Sequence, residues 1–253
     1  MEFAFEVPIS YLRGWRDANI NDYEFILAHL LKDKYYYDFY KESTKYKILD
    51  NSAYELGKSI TIEDLVKWAY DLKVDVLIAP DHIKDKDKTI QYWEDFIREY
   101  KNLPFQLMVV PQGNKASEYL QCLDYFQTQS RADIIGLSYR TISNAFHTIC
   151  QTHENDVTTT RLNLVEQTRF KKPIHLLGLE SNGGIEIATN NIAKTLDSAT
   201  PIILAMEGKL VNTDGTFERT IRHLDFQAEF DKKIFNLAKD NAFILKGFSK
   251  NVS

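Results

Sequence analysis

Five short apolar runs in this chain end in a polar group. Tyr46-Lys-Ile-Leu-Asp50 stops at an aspartate followed by Asn-Ser-Ala-Tyr54, and Val74-Asp-Val-Leu-Ile-Ala-Pro-Asp81 stops at another. Phe105-Gln-Leu-Met-Val-Val-Pro-Gln112 ends in a glutamine, Ala132-Asp-Ile-Ile-Gly-Leu-Ser138 in a serine, and Ile174-His-Leu-Leu-Gly-Leu-Glu180 in a glutamate. Carboxyl groups delivered in this way can serve as general acids, general bases or nucleophiles. The carboxyl ends of strands are also where parallel α/β sheets and (β/α)8 barrels gather their chemistry. Taken singly, each residue has a plainer role. Asp50 or Asp81 can cap the next helix, Gln112 after Pro111 can hold a turn, His175 inside an apolar strand fits a satisfied core histidine, and Tyr54 fits ordinary core. Gly-x-Gly-x-x-Gly, P-loop and Gly-x-Ser-x-Gly elements are missing, so nothing in the sequence supports a nucleotide cofactor or serine hydrolysis.

Such groups need a scaffold that brings strand ends together, and the pattern between them supplies one. Residues 3–7 alternate weakly as a first strand stopped by Pro8, and Asp22 to Tyr40 carries Phe25, Ile26, Leu30 and Leu31 at helical spacing. Thr61 and Asp64 form a capping signature ahead of an amphipathic helix through Leu65, Val66 and Trp68 to Leu72. The run Lys84-Asp-Lys-Asp-Lys88 reads as a solvated loop, with helical periodicity resuming over 89–100. Further helices are predicted at 117–127, 161–168, 185–193 and about 228–239, with Asn155 to Thr160 as a loop. Six clear strands and two weaker ones leave a closed barrel or an open doubly wound sheet. Polar residues at the ends of five different strands favour the barrel, whose strand ends converge on one axis. The predicted fold is an α/β chain forming a (β/α)8 TIM-like barrel, one domain spanning 1–253.

Composition agrees with that size, since such barrels typically take about 250 residues and the chain has 253. With 31 basic against 36 acidic residues, the net charge of −5 excludes the strongly basic surface of a general nucleic-acid binder, so nucleic acid would have to be met by a local patch. Cys122 and Cys150 sit in no Cys-x-x-Cys or Cys/His cluster, which gives no support to structural zinc or a disulfide framework and points to a reduced, cytoplasmic protein. The start Met-Glu-Phe-Ala-Phe-Glu lacks a basic region followed by an apolar core, so no leader is expected, and no run approaches the roughly 18 apolar residues of a membrane span. No membrane partner is therefore expected.

In their order and spacing, the strand ends resemble the tRNA-guanine transglycosylases, barrel enzymes that exchange a guanine base for a 7-deazaguanine. Asp50-Asn-Ser-Ala-Tyr54 is similar to that family's Asp-Ser-Gly-Gly-Phe, Ala79-Pro-Asp81 to its Ala-Phe-Asp, and Val110-Pro-Gln-Gly113 to its Val-Gln-Gly. Ile135-Gly-Leu-Ser138 is similar to its Gly-Gly-Leu-Ser/Ala, and His175-Leu-Leu-Gly-Leu179 to its Tyr-Leu-Met-Gly-Val. Late in the chain, Leu196-Asp-Ser-Ala-Thr-Pro201, Gly208 and Asp214-Gly215 follow the family's aspartate, proline and glycine spacing. The resemblance covers residues 48 to 215. It implies that Asp197 is the carboxylate nucleophile at C1′ of the sugar and Asp50 the general acid and base. Asp81 and Gln112 would read the polar edge of the base, with the backbone at Gly136 and Leu137 assisting. Tyr54 would supply a stacking face, and Leu177 and Gly178 would complete the base site. The free base would be a 7-deazaguanine, with no metal and no cofactor required.

The departures shape the substrate expectation. Two arginines that follow the nucleophile in the family are Ile203 and Met206 here, and its zinc-binding cysteines and distant histidine are missing. Those parts serve RNA contact, dimerisation and docking in the family. Their loss favours the short relatives, encoded by some phages and bacterial modification islands, that place 7-deazaguanines in DNA and so block restriction. Arg140, Arg161, Arg169, Lys171, Lys172 and Lys209 are candidate phosphate contacts. Three alternatives stay open: the same exchange on tRNA, a (β/α)8 glycoside hydrolase using Asp50 and Asp197, and a barrel that only binds a nucleobase or nucleic acid.

Overall fold

The computed structural model describes residues 1–147 and 156–249, so Cys150 and Asn155 lie outside the described residues. Eight parallel strands ring one axis: β1 (Glu2–Phe5), β2 (Glu24–Leu27), β3 (Lys47–Asp50), β4 (Val76–Ile78), β5 (Gln106–Val109), β6 (Ile134–Ser138), β7 (Ile174–Leu177) and β8 (Ala193–Ser198). The ladder runs β1-β8-β7-β6-β5-β4-β3-β2, with helices in the connections. This is the (β/α)8 barrel expected from the sequence. Its strands read as short apolar runs because the barrel interior covers one face and helices the other. Ile48, Leu49, Val76, Leu77 and Ile78 are all buried.

Between β1 and β2 the ring closes without a backbone ladder. One backbone hydrogen bond, from Asp22 N–H to the Phe3 carbonyl (2.8 Å), and the side chains of Asn21 and Asp22, just ahead of β2, take its place. Phe3 N–H donates to Asp22 Oδ2 (2.9 Å) and Phe5 N–H to Asn21 Oδ1 (2.8 Å), while Asn21 Nδ2 donates back to the Phe5 carbonyl (3.1 Å). Edge groups of β1 that would otherwise need a strand partner are thereby satisfied. Lys246 Nζ, from the last helix, donates to Asp22 Oδ1 (2.7 Å) and the Ile20 carbonyl (2.9 Å), holding the same segment from outside.

Several elements differ from expectation, each for a local reason. The 22–40 segment is not one helix: it is β2, a 3₁₀ turn over Ala28–Lys32, and helix α2 (Lys34–Glu42); a short helix α1 (Leu12–Asp17) precedes them. Glu24, Phe25, Ile26 and Leu27 are four successive buried residues, the mark of a strand covered on both faces, and Asp33 caps α2 by accepting from Tyr36 N–H. Helix α3 (Ala53–Leu56) follows β3, and α4 (Ile62–Leu72) starts at the expected cap, Thr61, which accepts from Asp64 N–H at 3.3 Å. The 84–88 run is a helix start rather than a loop. Asp85 accepts from Lys88 N–H and opens α5 (Lys86–Glu99), leaving Lys84 at φ +64° in the turn.

Helix α6 (Ala116–Thr128) matches its expected position, and α7 (Tyr139–Ala145) fills part of a stretch too polar to show a period. Residues 157–160, read as loop, belong to α8 (Val157–Gln167), capped by Asp156; their β-branched side chains hide a helix whose inner face is buried. Helix α9 (Gly183–Thr189) ends before 193 because Ala193 already begins β8. Helix α10 (Thr200–Met206) follows β8, and the last helix, α11 (Lys232–Phe248), lies later and runs longer than expected, with Asp231 as its cap. Asn241 of α11 accepts from Val211 N–H and donates to the carbonyls of Pro201 and Lys209, pinning the chain that leads into the 212–230 segment.

Candidate active site at the carboxyl ends of the strands

A cavity of about 370 Å³ opens at the carboxyl ends of the strands, within the range of small-molecule sites. Every strand or the residues just after it line this cavity: Glu6 after β1, Leu27 and His29 at β2, Asp50 and Asn51 at β3, Asp81 after β4, Gln112 after β5, Ser138 and Tyr139 at β6, Leu177 and Gly178 at β7, and Asp197 in β8. Tyr54 and Glu55 of α3, Arg140 of α7, and the segment carrying Arg219, Arg222, His223 and Phe226 complete its wall.

Asp50 Oδ2 accepts from Ser52 N–H (2.7 Å), which bends the chain sharply after β3 and sets Ser52 at φ +58°. The turn role and the cavity role therefore coincide in one side chain. Asn51 bridges β3 to β4: its Nδ2 donates to the Ala79 carbonyl and to Asp81 Oδ1 (both 2.8 Å), and its Oδ1 accepts from Ala53 N–H. Gln112 Nε2 donates to Asp81 Oδ2, and Gln112 Oε1 accepts from Lys84 N–H (3.1 Å). Asp81 and Gln112 thus form one polar edge with fixed donor and acceptor directions.

Asp197 is held on the far wall. His175 Nε2 lies 2.8 Å from Asp197 Oδ1, and His175 Nδ1 lies 2.7 Å from Thr195 Oγ1. Glu6 follows β1 beside Asp197: its N–H donates to the Ser198 carbonyl (3.2 Å), and repulsion from Asp197 adds to burial in raising its carboxyl. Gly178, next to Asp197 across the ladder, has φ +74°, and the Tyr139 ring comes within 2.5 Å of the place where a Cβ would sit. Both features require glycine there.

The cavity is crowded with carboxyl groups, and burial is the leading cause of every shift among them. Asp197 is pushed up to about 7, with Asp50 adding repulsion, and Glu55 to about 8, with Glu6 adding to it. Glu6 and Asp50 are raised well above the usual carboxylate range by burial, with repulsion from Asp197 and Glu55 respectively adding to it. Asp81 is raised by burial against the pull of its donors Asn51, Gln112 and Ser59. Glu55 Oε2 is buried without a hydrogen-bond partner. Groups with raised folded pKa values favour folding most at low pH, and that contribution disappears as pH rises through the folded values. The melting temperature of the ligand-free protein is therefore expected to fall between pH 6.5 and 8.5, and Glu55→Gln to flatten that slope. Thermal unfolding at constant ionic strength measures both, and a melting temperature that rises over this window would contradict the charge crowding.

Among the described residues, the arginines that line the cavity are Arg140, Arg219 and Arg222. Arg219 reaches neutral acceptors, the Leu179 carbonyl (3.2 Å) and the Tyr139 hydroxyl (3.3 Å), and lies 5.7 Å from the Tyr139 ring centroid. Arg140 lies 5.8 Å from the Tyr54 ring, which itself stacks on His223 at 5.5 Å. The segment bearing Arg219 and Arg222 is anchored by Glu207, which accepts from Thr220 N–H, Ile221 N–H and Lys209 Nζ (each 2.6 Å) and is held down near 2 by those donors.

No known family model and no curated protein matches this chain. Among the described residues, no group of three or more His, Cys, Asp or Glu side chains is arranged to hold a metal ion, and no helix is long and apolar enough to cross a membrane.

Of the residues singled out in the sequence, Asp50, Tyr54, Asp81, Gln112, Leu177, Gly178 and Asp197 line the one cavity. Gly136 and Leu137 do not. A Cβ at Gly136 would meet Leu177, Met108 and Val110 inside the barrel, and the Leu137 carbonyl accepts from Arg161. Arg161 is no phosphate contact: it is 1% exposed and binds Glu186 and the carbonyls of Leu137, Leu177 and Gly178. Lys172 is likewise occupied by the carbonyls of Gln129 and Ala132, and Lys209 by Glu207. Of the proposed phosphate contacts only Arg140 lies on the cavity wall. Sequence reasoning missed Glu6, Glu55, Tyr139 and Arg219. For Glu6 a signal existed, because Ala4 and Glu6 share a strand face that ends in a carboxyl group, as the other runs do.

Proposed function

We propose that this protein is a transglycosylase that replaces guanine in DNA with a 7-deazaguanine base through a covalent aspartyl-glycosyl intermediate. The reading is supported above all by one observation: Asp50, Asp81, Gln112 and Asp197, far apart in sequence, line a single cavity. In the first half-reaction an Asp197 oxygen forms a bond to C1′ as the C1′–N9 bond breaks, and Asp50 protonates the departing guanine. In the second, Asp50 takes the N9 proton of the incoming base, N9 attacks C1′, and Asp197 leaves as a carboxylate. Raised pKa values suit both tasks, since a carboxyl that can hold a proton near neutrality can give it up again. Asp81 and Gln112 read the polar edge of the base. Because C1′ is inaccessible within a duplex, the nucleotide is extruded into the cavity, where Arg140, Arg219 and Arg222 would meet its flanking phosphates.

Incubation of the protein with labelled guanine and duplex DNA, single-stranded DNA or tRNA tests this reading, as does mass spectrometry of nucleosides from cells that also supply a deazaguanine. Label in DNA is expected. Label in tRNA alone would move the activity to RNA, and label in neither would refute the exchange. Asp81→Ala is expected to raise the KM for guanine by about ten- to a hundredfold, because a polar site left unpaired loses discrimination, and to let other purines compete. Unchanged selectivity would remove Asp81 from base reading.

A further inference from the structure

We propose that Glu6 and His175 are positioning residues for Asp197, holding its carboxylate from two sides: Glu6 by the O–H of a neutral carboxyl, and His175 by its Nε2–H, with the Thr195 hydroxyl at Nδ1. This role presupposes that Asp197 attacks the sugar, as proposed above.

Strand register puts the three together. Ala4 pairs with Asp197 and Phe5 with Ser198 across β1 and β8, and Glu6 N–H donates to the Ser198 carbonyl (3.2 Å), so Glu6 emerges beside Asp197 on one flank. On the other flank, β7 pairs Leu177 with Asp197 and His175 with Thr195. The His175 ring is fully buried and lies parallel to Phe25, with centroids 5.7 Å apart and planes within 2°, leaving it one orientation. Burial, reinforced by Arg161, pushes His175 down to about 3, so the ring is neutral and offers one N–H and one lone pair. An ionised Asp197 only accepts, so the N–H sits at Nε2, and the Thr195 hydroxyl, able to donate or accept, donates to Nδ1.

Glu6 and Asp197 are two buried, neighbouring carboxyl groups with room for one charge, since adjacent like charges out of water disfavour each other's ionisation. Asp50, Glu55 and Tyr23 also face this pair, against Arg161 and Arg219 as the cations. Burial raises both carboxyls, and a proton kept on Glu6 leaves Asp197 as the anion that the proposed attack requires. Two fixed donors aim that anion before attack and stabilise its charge as the glycosyl ester breaks in the second half-reaction.

Glu6→Ala and His175→Phe are each expected to lower kcat by about a hundredfold, the usual cost of one preorganised donor, with the KM for the base unchanged. Glu6→Gln, which keeps a donor, should recover most of the loss and remove the pH dependence that Glu6 imposes. Two measurements on the wild-type, ligand-free protein are independent of base exchange. Nitrogen NMR of His175 should show an Nε2–H that does not titrate down to pH 5, and carboxyl-carbon NMR should show Glu6 losing its proton at higher pH than Asp197. An unprotonated Nε2, the reverse titration order, or wild-type kcat in both Glu6→Ala and His175→Phe overturns the assignment. Both NMR signatures without base exchange would overturn the transglycosylase reading and leave the donor pair standing.

Discussion

Asp197→Asn is expected to abolish base exchange, by about four orders of magnitude or more, the scale of loss when an enzyme's nucleophile is removed, while leaving the protein at least as stable. An amide oxygen cannot form and release a glycosyl ester, so the covalent route closes. Stability moves the other way for an electrostatic reason. Asp197 is 5% exposed and sits among Glu6, Asp50 and Glu55, where its charge is disfavoured by burial and repulsion. Asparagine keeps the shape and can still accept from His175 Nε2. Exchange of labelled guanine, read beside thermal unfolding, separates the two effects. Wild-type turnover would remove Asp197 from the chemistry, and a large fall in melting temperature would show that its charge supports the fold instead.

The largest expected effect on stability lies outside the cavity. Arg161 and Glu186 are a buried ion pair, 1% and 0% exposed at the side chain, and Arg161 also donates to three carbonyls at the ends of β6 and β7. Arg161→Met strands the Glu186 charge and leaves those carbonyls without their donor. Breaking a buried pair from one side costs about 3–5 kcal/mol, which for a chain of this size lowers the melting temperature by about 10 °C. The double variant Arg161→Met, Glu186→Met should regain part of this, because the stranded charge is gone while the carbonyls stay unpaired. Chemical denaturation of the three proteins measures it, and an Arg161→Met protein as stable as wild type would contradict the assignment.

The barrel was legible because strands buried on both faces write themselves as apolar runs, and five of them carry a polar residue at the same end. Asp50, Asp81 and Gln112 could be found by that rule; Asp197 is reached only through the family resemblance, because Lys194 and Thr195 break the apolar run of β8. His29 could not, because Phe25, Ile26, Leu30 and Leu31 mimic a helical period and hid β2 inside an expected helix. Arg161 illustrates the opposite failure. An arginine in a polar stretch looks solvated, and only its partner 25 residues later, Glu186, shows that it is core. Arg219 and His223 left no trace, since they reach the site on an irregular segment whose place is set by contacts such as those of Glu207.

The stitched seam between the first two strands also bears on how the molecule is made. Two side chains, Asn21 and Asp22, with one backbone hydrogen bond from Asp22, do the work of a ladder there, and Asp22 is itself fastened by Lys246. During synthesis, the early strands can assemble as an open trough, but the helix that carries Lys246 emerges more than two hundred residues after the segment it locks. Glu6 follows β1 beside that seam, but Asp197 arrives only with β8 on the other side of β1, so a nascent chain completes the carboxyl pair and its enclosure late.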